Sequence, residues 1–294
     1  MRYQGITGQA SEIKFIGGDS KVRFRYSDKY AHHDFDFASS DTLLVLRWVP
    51  LSKKEFSRIF GESTPYKQLW SDEVVGLKYK SQFRKVNSWS LSSFLDPDDL
   101  TKEQKNLILK GHELFHANAV SYSTTNPFNS LPAITVTARE TNQVFVIDYR
   151  TGKLLWKSPK NFFSRPHDAR ITRDKTLTVY NNGAVDETSS VLEVDLLKNS
   201  VIWEYGSQLP LIVRWQFTSH ELSGAQKLIN GNFLVTHGVQ GHIYEIDSEK
   251  KIVFSWPAAA SFLKDILGHP AISLFKTEKI AVTKGQIQKL KGLE

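Results

Sequence analysis

Short segments that alternate apolar and polar residues, separated by turn residues, run through most of the chain. Four of them are rich in β-branched or other apolar residues and are bounded by Gly, Asn, Asp or Ser, which is typical of strands: 42–47, 133–139, 143–148 and 190–195. Helical periodicity is confined to three stretches, at 52–60, 99–114 and 258–267. The pattern therefore predicts an all-β frame with a few short helices in insertions.

One hairpin unit recurs along the chain: a strand that ends near an aspartate, a polar turn, and a strand that ends in an aromatic residue. Clear copies lie at 143–158, 190–206 and 242–256, and weaker copies at 12–26 and 73–89. The closing residues Trp156, Trp203 and Trp256 are 47 and 53 residues apart. That spacing is close to one four-stranded propeller blade, which takes roughly 40–50 residues.

A second hairpin unit precedes four of these copies, at 32–48, 115–140, 166–183 and 223–239. Two hairpins per period make one four-stranded antiparallel blade, so the chain is predicted to be a β-propeller with four full blades and one partial blade at 12–26. We expect a single propeller domain over 1–294 that lacks an N-terminal portion. Either a strand near 271–275 completes the partial blade, or the chain begins inside a longer propeller.

The inner hairpins carry the candidate chemistry. Three of them open with a histidine, namely His33, His116 and His167, whereas the fourth opens at Ser223 with His220 just upstream. The second strand of each returns to the same end, where the last residues are Arg47, Arg139, Asn181 and His237. Because inner strands line the channel of a propeller, these residues are predicted to form a ring of histidine and arginine around one mouth.

Such a ring favours transfer of a sulfuryl or phosphoryl group. Arginine binds tetrahedral oxyanions through two parallel hydrogen bonds, and histidine serves as nucleophile, acid or base near neutral pH. The sequence has no Cys, no HExxH spacing and no Gly-rich phosphate loop, so neither a metal site nor a cofactor is predicted.

The composition of the chain limits the kinds of partner that it is expected to bind. The 294 residues include 38 Lys and Arg against 31 Asp and Glu, a net charge of +7 that is spread along the chain. Without a basic face and interleaved stacking aromatics, nucleic acid is not an expected partner, and a small anionic substrate is the expected use of the charge. No apolar run approaches the ~18 residues of a membrane span, and the first thirty residues lack the apolar region of a secretory signal.

Several motifs in a fixed order resemble those of the aryl-sulfate sulfotransferases (arylsulfotransferases). They are HHDFD at 32–36, LFHANAV at 114–120, TAR at 137–139, PHDAR at 166–170, YNNG at 180–183, IWEYG at 202–206, SGAQKL at 223–228 and NGN at 230–232. The resemblance implies a six-bladed propeller that moves a sulfuryl group from an aryl sulfate to a phenol through a transient sulfohistidine, without a nucleotide sulfate donor. It also implies an exported protein, since members of the family are commonly exported.

Carried over by motif, the resemblance places His116, His167 and Arg139 in the active site. It leaves the nucleophile open between His237 and His220, and we expect His237 because it ends its strand where Arg47 and Arg139 end theirs. His33, Arg47, Asn118 and Asn181 are expected to contact the substrate.

One departure from the family pattern keeps an alternative open. The family often has an arginine shortly after the Asn-Asn-Gly turn, and residues 184–188 here contain none. A divergent, non-catalytic propeller that binds an anionic or protein partner is therefore the second hypothesis. A quinone-dependent or calcium-dependent propeller enzyme is disfavoured, because no acidic cluster indicates a calcium site.

Overall fold

The structure is a computed structural model that describes residues 12–16, 20–183, 188–257, 274 and 276–279. Within these ranges the secondary structure is almost entirely antiparallel β. The strands are β1 (Glu12–Ile16), β2 (Val22–Ser27), β3 (Ala31–Ser39), β4 (Thr42–Pro50), β5 (Trp70–Tyr79), β6 (Phe83–Ser90), β7 (Ala117–Ser123), β8 (Ala133–Ala138), β9 (Gln143–Asp148), β10 (Leu154–Lys157), β11 (Pro166–Ile171), β12 (Leu177–Asn181), β13 (Ser190–Asp195), β14 (Ser200–Tyr205), β15 (Gly224–Lys227), β16 (Phe233–His237), β17 (His242–Ile246) and β18 (Ile252–Pro257). The helices are α1 (Lys53–Phe60), α2 (Lys102–Gly111) and α3 (Leu211–Phe217), with 3₁₀ turns at Leu91–Phe94 and Pro97–Asp99.

The strands form four antiparallel sheets of four consecutive strands each, β3–β6, β7–β10, β11–β14 and β15–β18, and a separate pair of β1 with β2. Each four-stranded sheet joins one of the two hairpin types found in the sequence to the other. The first strand of each sheet lies at an edge and contacts the first strand of the next sheet, so that β3 meets β7, β7 meets β11, and β11 meets β15. Inner strands that neighbour one another in this way line a common channel, and the prediction of a β-propeller is confirmed.

Apolar side chains between successive sheets hold the blades together. The largest cluster joins the first and second sheets and includes the fully buried Leu46, Val74, Ile134 and Phe145. A second cluster packs the second sheet against the third, and a third packs the third sheet against the fourth around Tyr180. Because successive blades bury apolar side chains against each other, the channel ends of the inner strands are held at fixed positions.

Two of the predicted helices are present and begin at polar caps. Helix α1 follows Ser52, whose hydroxyl accepts a hydrogen bond from the backbone N–H of Glu55, and it buries Phe56 and Ile59 on one face. Helix α2 begins after Thr101, which forms a capping box with Gln104. It is shorter than the predicted 99–114, because the residues before the cap form a 3₁₀ turn and His112 ends the helix in a left-handed conformation.

Helix α3 is an addition to the elements that the sequence predicted. The predicted helix at 258–267 lies outside the described residues, as does the predicted strand at 271–275 apart from Leu274. The backbone N–H of Leu274 donates to the carbonyl of Gly238, 3.1 Å away, beside the fourth sheet. Among the residues that the structure describes, no helix is long and apolar enough to cross a membrane.

Candidate functional site

The inner strands of the first three sheets begin with an irregular backbone at one end of the channel. His33, His116 and Asp168 have φ angles of 50°, 48° and 50°, in the left-handed region that residues other than glycine rarely adopt. The strand register shifts at each of these places, as it does in a β-bulge. Bulges re-aim side chains, and strained backbone of this kind clusters at functional sites.

This irregular backbone brings His33, His116, His167 and Arg139 together, and we call these four residues the mouth cluster. The ring centroids of His33 and His116 are 4.7 Å apart, with the rings edge to face. His116, His167 and Arg139 all lie near enough to His33 to influence its ring electrostatically.

Two imidazoles of the mouth cluster are held neutral. Burial is the main reason that the pKa of His33 falls to about 2, and nearby cations lower it further. Burial also lowers the pKa of His167 to about 3, although its hydrogen bond to the Arg165 carbonyl opposes the shift. Both rings therefore present a lone pair at neutral pH.

The partner of each ring nitrogen decides where its proton lies. His167 Nδ1 is 3.1 Å from the carbonyl oxygen of Arg165, which can only accept, so Nδ1 carries the proton and Nε2 the lone pair. His116 Nδ1 is 2.6 Å from Oε2 of the buried Glu113, a carboxylate that can balance the charge of an imidazolium.

Arg139 completes the cluster. It follows the end of β8, and its Nη1 is 2.9 Å from Glu140 while its Nη2 is 4.0 Å from Glu221. Its Nε is buried and has no hydrogen-bond partner among the described residues. The guanidinium is thus partly neutralised and keeps donor capacity for an anion.

Three further candidates support the site or lie beside it. Asn118 is buried and its Nδ2 donates to the carbonyl of Pro166, 2.9 Å away, which ties the second sheet to the residue before His167. Asn181 Oδ1 accepts from the N–H of Ser164 at 2.7 Å. Arg47 is engaged with carboxylates at the start of the first sheet, with Nε 2.8 Å from Asp28 and Nη1 3.1 Å from Glu73.

The structure does not bring His237 into the mouth cluster. Its side chain is fully buried, on the strand face that also carries Phe233 and Val235, and its ring lies 6.1 Å from that of Phe217. Burial lowers its pKa to about 4. His220 is exposed in the loop after α3, and its neighbour Glu221 approaches Arg139.

A network of buried charges lies one residue further along the same strands. Asp34, which follows His33, contacts Lys276 Nζ at 2.7 Å, and Asp168, which follows His167, contacts Arg170 Nε at 2.8 Å. Arg170 in turn binds Glu278 at 2.9 Å. Residues 276–279, which we call the channel segment, thereby bridge the first and third sheets beneath the mouth cluster.

Sequence reasoning missed the groups that orient the rings. Glu113 stands three residues before His116, a spacing that could have been noticed, whereas Asp72, whose Oδ1 lies 2.9 Å from His32 Nε2, is in β5 without any local motif. His32 Nδ1 lies 2.9 Å from His33 Nδ1, although side chains of adjacent residues in a regular strand point to opposite faces. In the described part of the chain, no group of three or more His, Asp or Glu side chains could hold a metal ion.

Comparison with known proteins agrees with the motifs. The family model described as Arylsulfotransferase (ASST) matches residues 2–260. A search among curated proteins gives no match.

Three solved structures are similar to the chain at low identity. A protein of unknown function from Bacteroides caccae is 17% identical, with a TM-score of 0.41 over 65% of this chain and 56% of that one. The Dos1 propeller is 13% identical, with a TM-score of 0.47 over 85% and 54%. The virginiamycin B lyase of Staphylococcus aureus is 12% identical, with a TM-score of 0.45 over 85% and 64%. The chain thus spans between about half and two thirds of the length of these structures.

Proposed function

The chain belongs to the arylsulfotransferase family, and from this premise we propose that it transfers a sulfuryl group from an aryl sulfate to a phenol in two steps through a sulfohistidine at His167. No nucleotide sulfate takes part. The observation that carries the proposal is the neutral His167 ring, with its lone pair on Nε2, beside Arg139 and His116.

His167 is proposed as the nucleophile because its tautomer and charge are suited to attack. Its Nδ1 proton is committed to the Arg165 carbonyl, so Nε2 offers its lone pair to sulfur. In the first step the Nε2–S bond forms and the bond from sulfur to the aryl oxygen breaks. The aryl oxygen leaves with the electron pair of that bond, and the enzyme retains an N-sulfo-imidazole that is neutral overall.

Arg139 and His116 are proposed to hold the sulfuryl oxygens. The Arg139 guanidinium offers a planar set of donors for two oxygens, and the Glu113 carboxylate, 2.6 Å from His116 Nδ1, fixes the orientation in which the His116 ring meets another. Donors of this kind act in a partly dry site, where they stabilise developing charge more strongly than in water.

The second step returns the enzyme to its starting state. The oxygen of a phenol attacks the sulfur of the sulfohistidine, the N–S bond breaks, and its electron pair returns to His167 Nε2. A new aryl sulfate leaves, and the proton of the phenol O–H passes to solvent water.

Mass spectrometry of the intact protein tests the nucleophile. After brief exposure to 4-nitrophenyl sulfate without a phenol, the wild-type chain should gain the mass of one SO₃ group. His167→Ala should gain none. His237→Ala is the matched control, because it also removes a buried neutral histidine, and it should still be labelled. Loss of the label in His237→Ala alone would move the nucleophile to His237, as the strand register predicted.

The rate of 4-nitrophenol release tests whether the protein transfers the sulfuryl group to a phenol. Release of 4-nitrophenol that depends on added phenol supports the transferase. If the protein is instead a non-catalytic binder, 4-nitrophenyl sulfate should raise its unfolding temperature. No 4-nitrophenol should then be released between neutral and alkaline pH.

A further inference from the structure

Arg165 is joined to two members of the mouth cluster by hydrogen bonds of its backbone. Its carbonyl accepts from His167 Nδ1, 3.1 Å away, and its own N–H donates to Asn142 Oδ1 at 2.8 Å. The N–H of Asn142 in turn donates to the carbonyl of Arg139, 3.2 Å away. The connection between β10 and β11 therefore holds Arg165 at a fixed place beside Arg139 and His167.

The backbone at this place has a conformation that residues other than glycine rarely adopt. Arg165 and Asn142 have φ angles of 51° and 56°, in the left-handed region. Strained backbone persists only where the surrounding contacts determine it, and it clusters at sites that bind ligands. Any residue with a Cβ meets the same strain, so a change of the Arg165 side chain to another such residue tests the guanidinium alone.

The guanidinium of Arg165 has no acceptor in the part of the chain that the structure describes. The side chain is half-buried, and no carboxylate or carbonyl there binds it. Arg139, by contrast, has Glu140 at 2.9 Å and Glu221 at 4.0 Å. An arginine without an acceptor in the protein keeps its five N–H donors for a ligand.

The two guanidinium groups also act on each other. Burial lowers the pKa of Arg139, and the positive charge of Arg165 lowers it further, although Glu140 and Glu221 oppose the shift. Like charges repel when no anion lies between them, so an anion that binds both groups gains attraction from each. A sulfate ester spreads its negative charge over three outer oxygens, which suits two planar sets of donors.

We propose that Arg165 binds the sulfate end of the aryl sulfate together with Arg139, and that this pair of arginines determines the affinity of the site for its anionic substrate. The inference rests on the proposed sulfuryl transfer for the identity of the anion. The sulfuryl oxygens carry negative charge in the bound donor as well as during transfer, so Arg165 stabilises both states. Its loss should therefore weaken binding and change the rate at saturation little.

The test changes the Arg165 side chain and leaves the backbone as it is. Arg165→Gln removes the charge, and Arg165→Lys keeps the charge but loses the planar fork. Arg173→Gln is the matched control, because it makes the same change in net charge. Arg173 is exposed, has no partner among the described residues, and follows the end of β11 that lies away from the mouth cluster.

Two measurements separate binding from reaction. Calorimetry gives the affinity for benzenesulfonate, an aryl anion that lacks the ester oxygen that leaves in sulfuryl transfer. The burst of 4-nitrophenol is recorded over a range of 4-nitrophenyl sulfate concentrations, which gives the half-saturating concentration and the burst rate constant at saturation. Urea unfolding shows whether each variant keeps its fold.

We expect Arg165→Gln to weaken benzenesulfonate binding by about tenfold to 10²-fold, the usual effect of losing hydrogen bonds to a charged group. The half-saturating concentration of 4-nitrophenyl sulfate should rise by a similar factor, whereas the burst rate constant at saturation and the urea midpoint should stay near those of the wild type. Arg165→Lys should bind with an affinity between those of the wild type and Arg165→Gln, and Arg173→Gln should match the wild type.

Failure of the wild type to bind benzenesulfonate, or an unchanged affinity in Arg165→Gln, would overturn the assignment, as would an equal loss of affinity in Arg173→Gln. A loss of affinity that comes with a lower urea midpoint in both Arg165 variants would show a structural role and overturn it too. If the wild type gives no burst but its binding of benzenesulfonate depends on Arg165, the proposed sulfuryl transfer is wrong and the anion site stands.

Discussion

Gly224 is a position where the fold leaves no room for a side chain. It opens β15, beside the start of β11, and a Cβ placed on it would lie 2.4 Å from Asp168 Oδ2 and 3.0 Å from Asp168 Cγ. The φ angle of Gly224 is outside the left-handed region, so an alanine there would suffer from the contact and not from its own backbone. We predict that Gly224→Ala destabilises the protein through Asp168.

The size of the effect follows from the ion pair that Asp168 makes. To reach an ordinary contact distance, the Asp168 carboxylate must move by about 1 Å. Its Oδ1 lies 2.8 Å from Arg170 Nε in a mostly buried pair. Lengthening that contact by about 1 Å weakens the attraction by about 1.5 kcal/mol at an effective dielectric constant of about 20. Overpacking adds about 1–3 kcal/mol, so the free energy of unfolding should fall by about 2.5–4.5 kcal/mol.

Urea unfolding followed by tryptophan fluorescence measures this loss as a lower midpoint at unchanged slope. Gly111→Ala is the control, because a Cβ at the end of α2 meets nothing within 4 Å. That variant should be neutral, or more stable by up to about 1 kcal/mol. In an Asp168→Ala background, Gly224→Ala should cost less than about 1 kcal/mol, because the clashing carboxylate is gone. An equal cost in both backgrounds would refute the reasoning.

Three further predictions concern proton positions. The rate constant of the donor burst should be flat from pH 5 to 8, because the pKa of His167 is about 3; a fall of about thirtyfold at pH 5 would indicate an ordinary histidine with a pKa near 6.5. Glu113→Gln removes the carboxylate at His116 Nδ1 and should slow the burst by about tenfold to 10²-fold, and an unchanged burst would exclude the proposed role of His116. Burial raises the pKa of Asp34 from 3.8 to about 6 despite Lys276, so the folded state loses stability as Asp34 ionises. Relative to Asp34→Asn, the wild-type free energy of unfolding should fall by up to about 3 kcal/mol between pH 3.5 and 7, and a rise over that range would contradict the assignment.

The strands and their grouping could be predicted because their information is local. Period-two alternation and turn residues define each hairpin, and the repeat of two hairpin types defines the sheet. Helix α3 was missed because LIVRWQF (211–217) is a short apolar run without a clear helical period. The role of the channel segment could not be predicted, since its partners lie on three sheets far away in sequence.

For the candidate site, the sequence predicted the backbone positions of the residues but not where their side chains end. Strand register placed His33, His116 and His167 at one end of the channel, where the structure also has them. The same register predicted that His237 and Arg139 occupy equivalent positions at the ends of their strands. Register, however, determines the position of the Cα atom and not that of the end of the side chain. Arg139 is long and lies beyond the end of β8, whereas the short His237 side chain stays on the face that packs against Phe217. Glu113 and Asp72 needed the tertiary structure, because nothing local tells which carboxylate will meet which imidazole.

The channel segment also has a consequence for the order in which parts of the protein fold. Lys276 binds Asp34 across a sequence separation of 242 residues. At a synthesis rate of roughly 5–20 residues per second, about 10–50 s pass between the emergence of the two partners from the ribosome. During that interval the sheets can form from local hairpins and Asp34 can accept a hydrogen bond from the N–H of Val120, but its ion pair with Lys276 has to wait. Docking of the channel segment onto the first sheet is therefore a late, long-range event, and the slowest folding phase should report on Lys276.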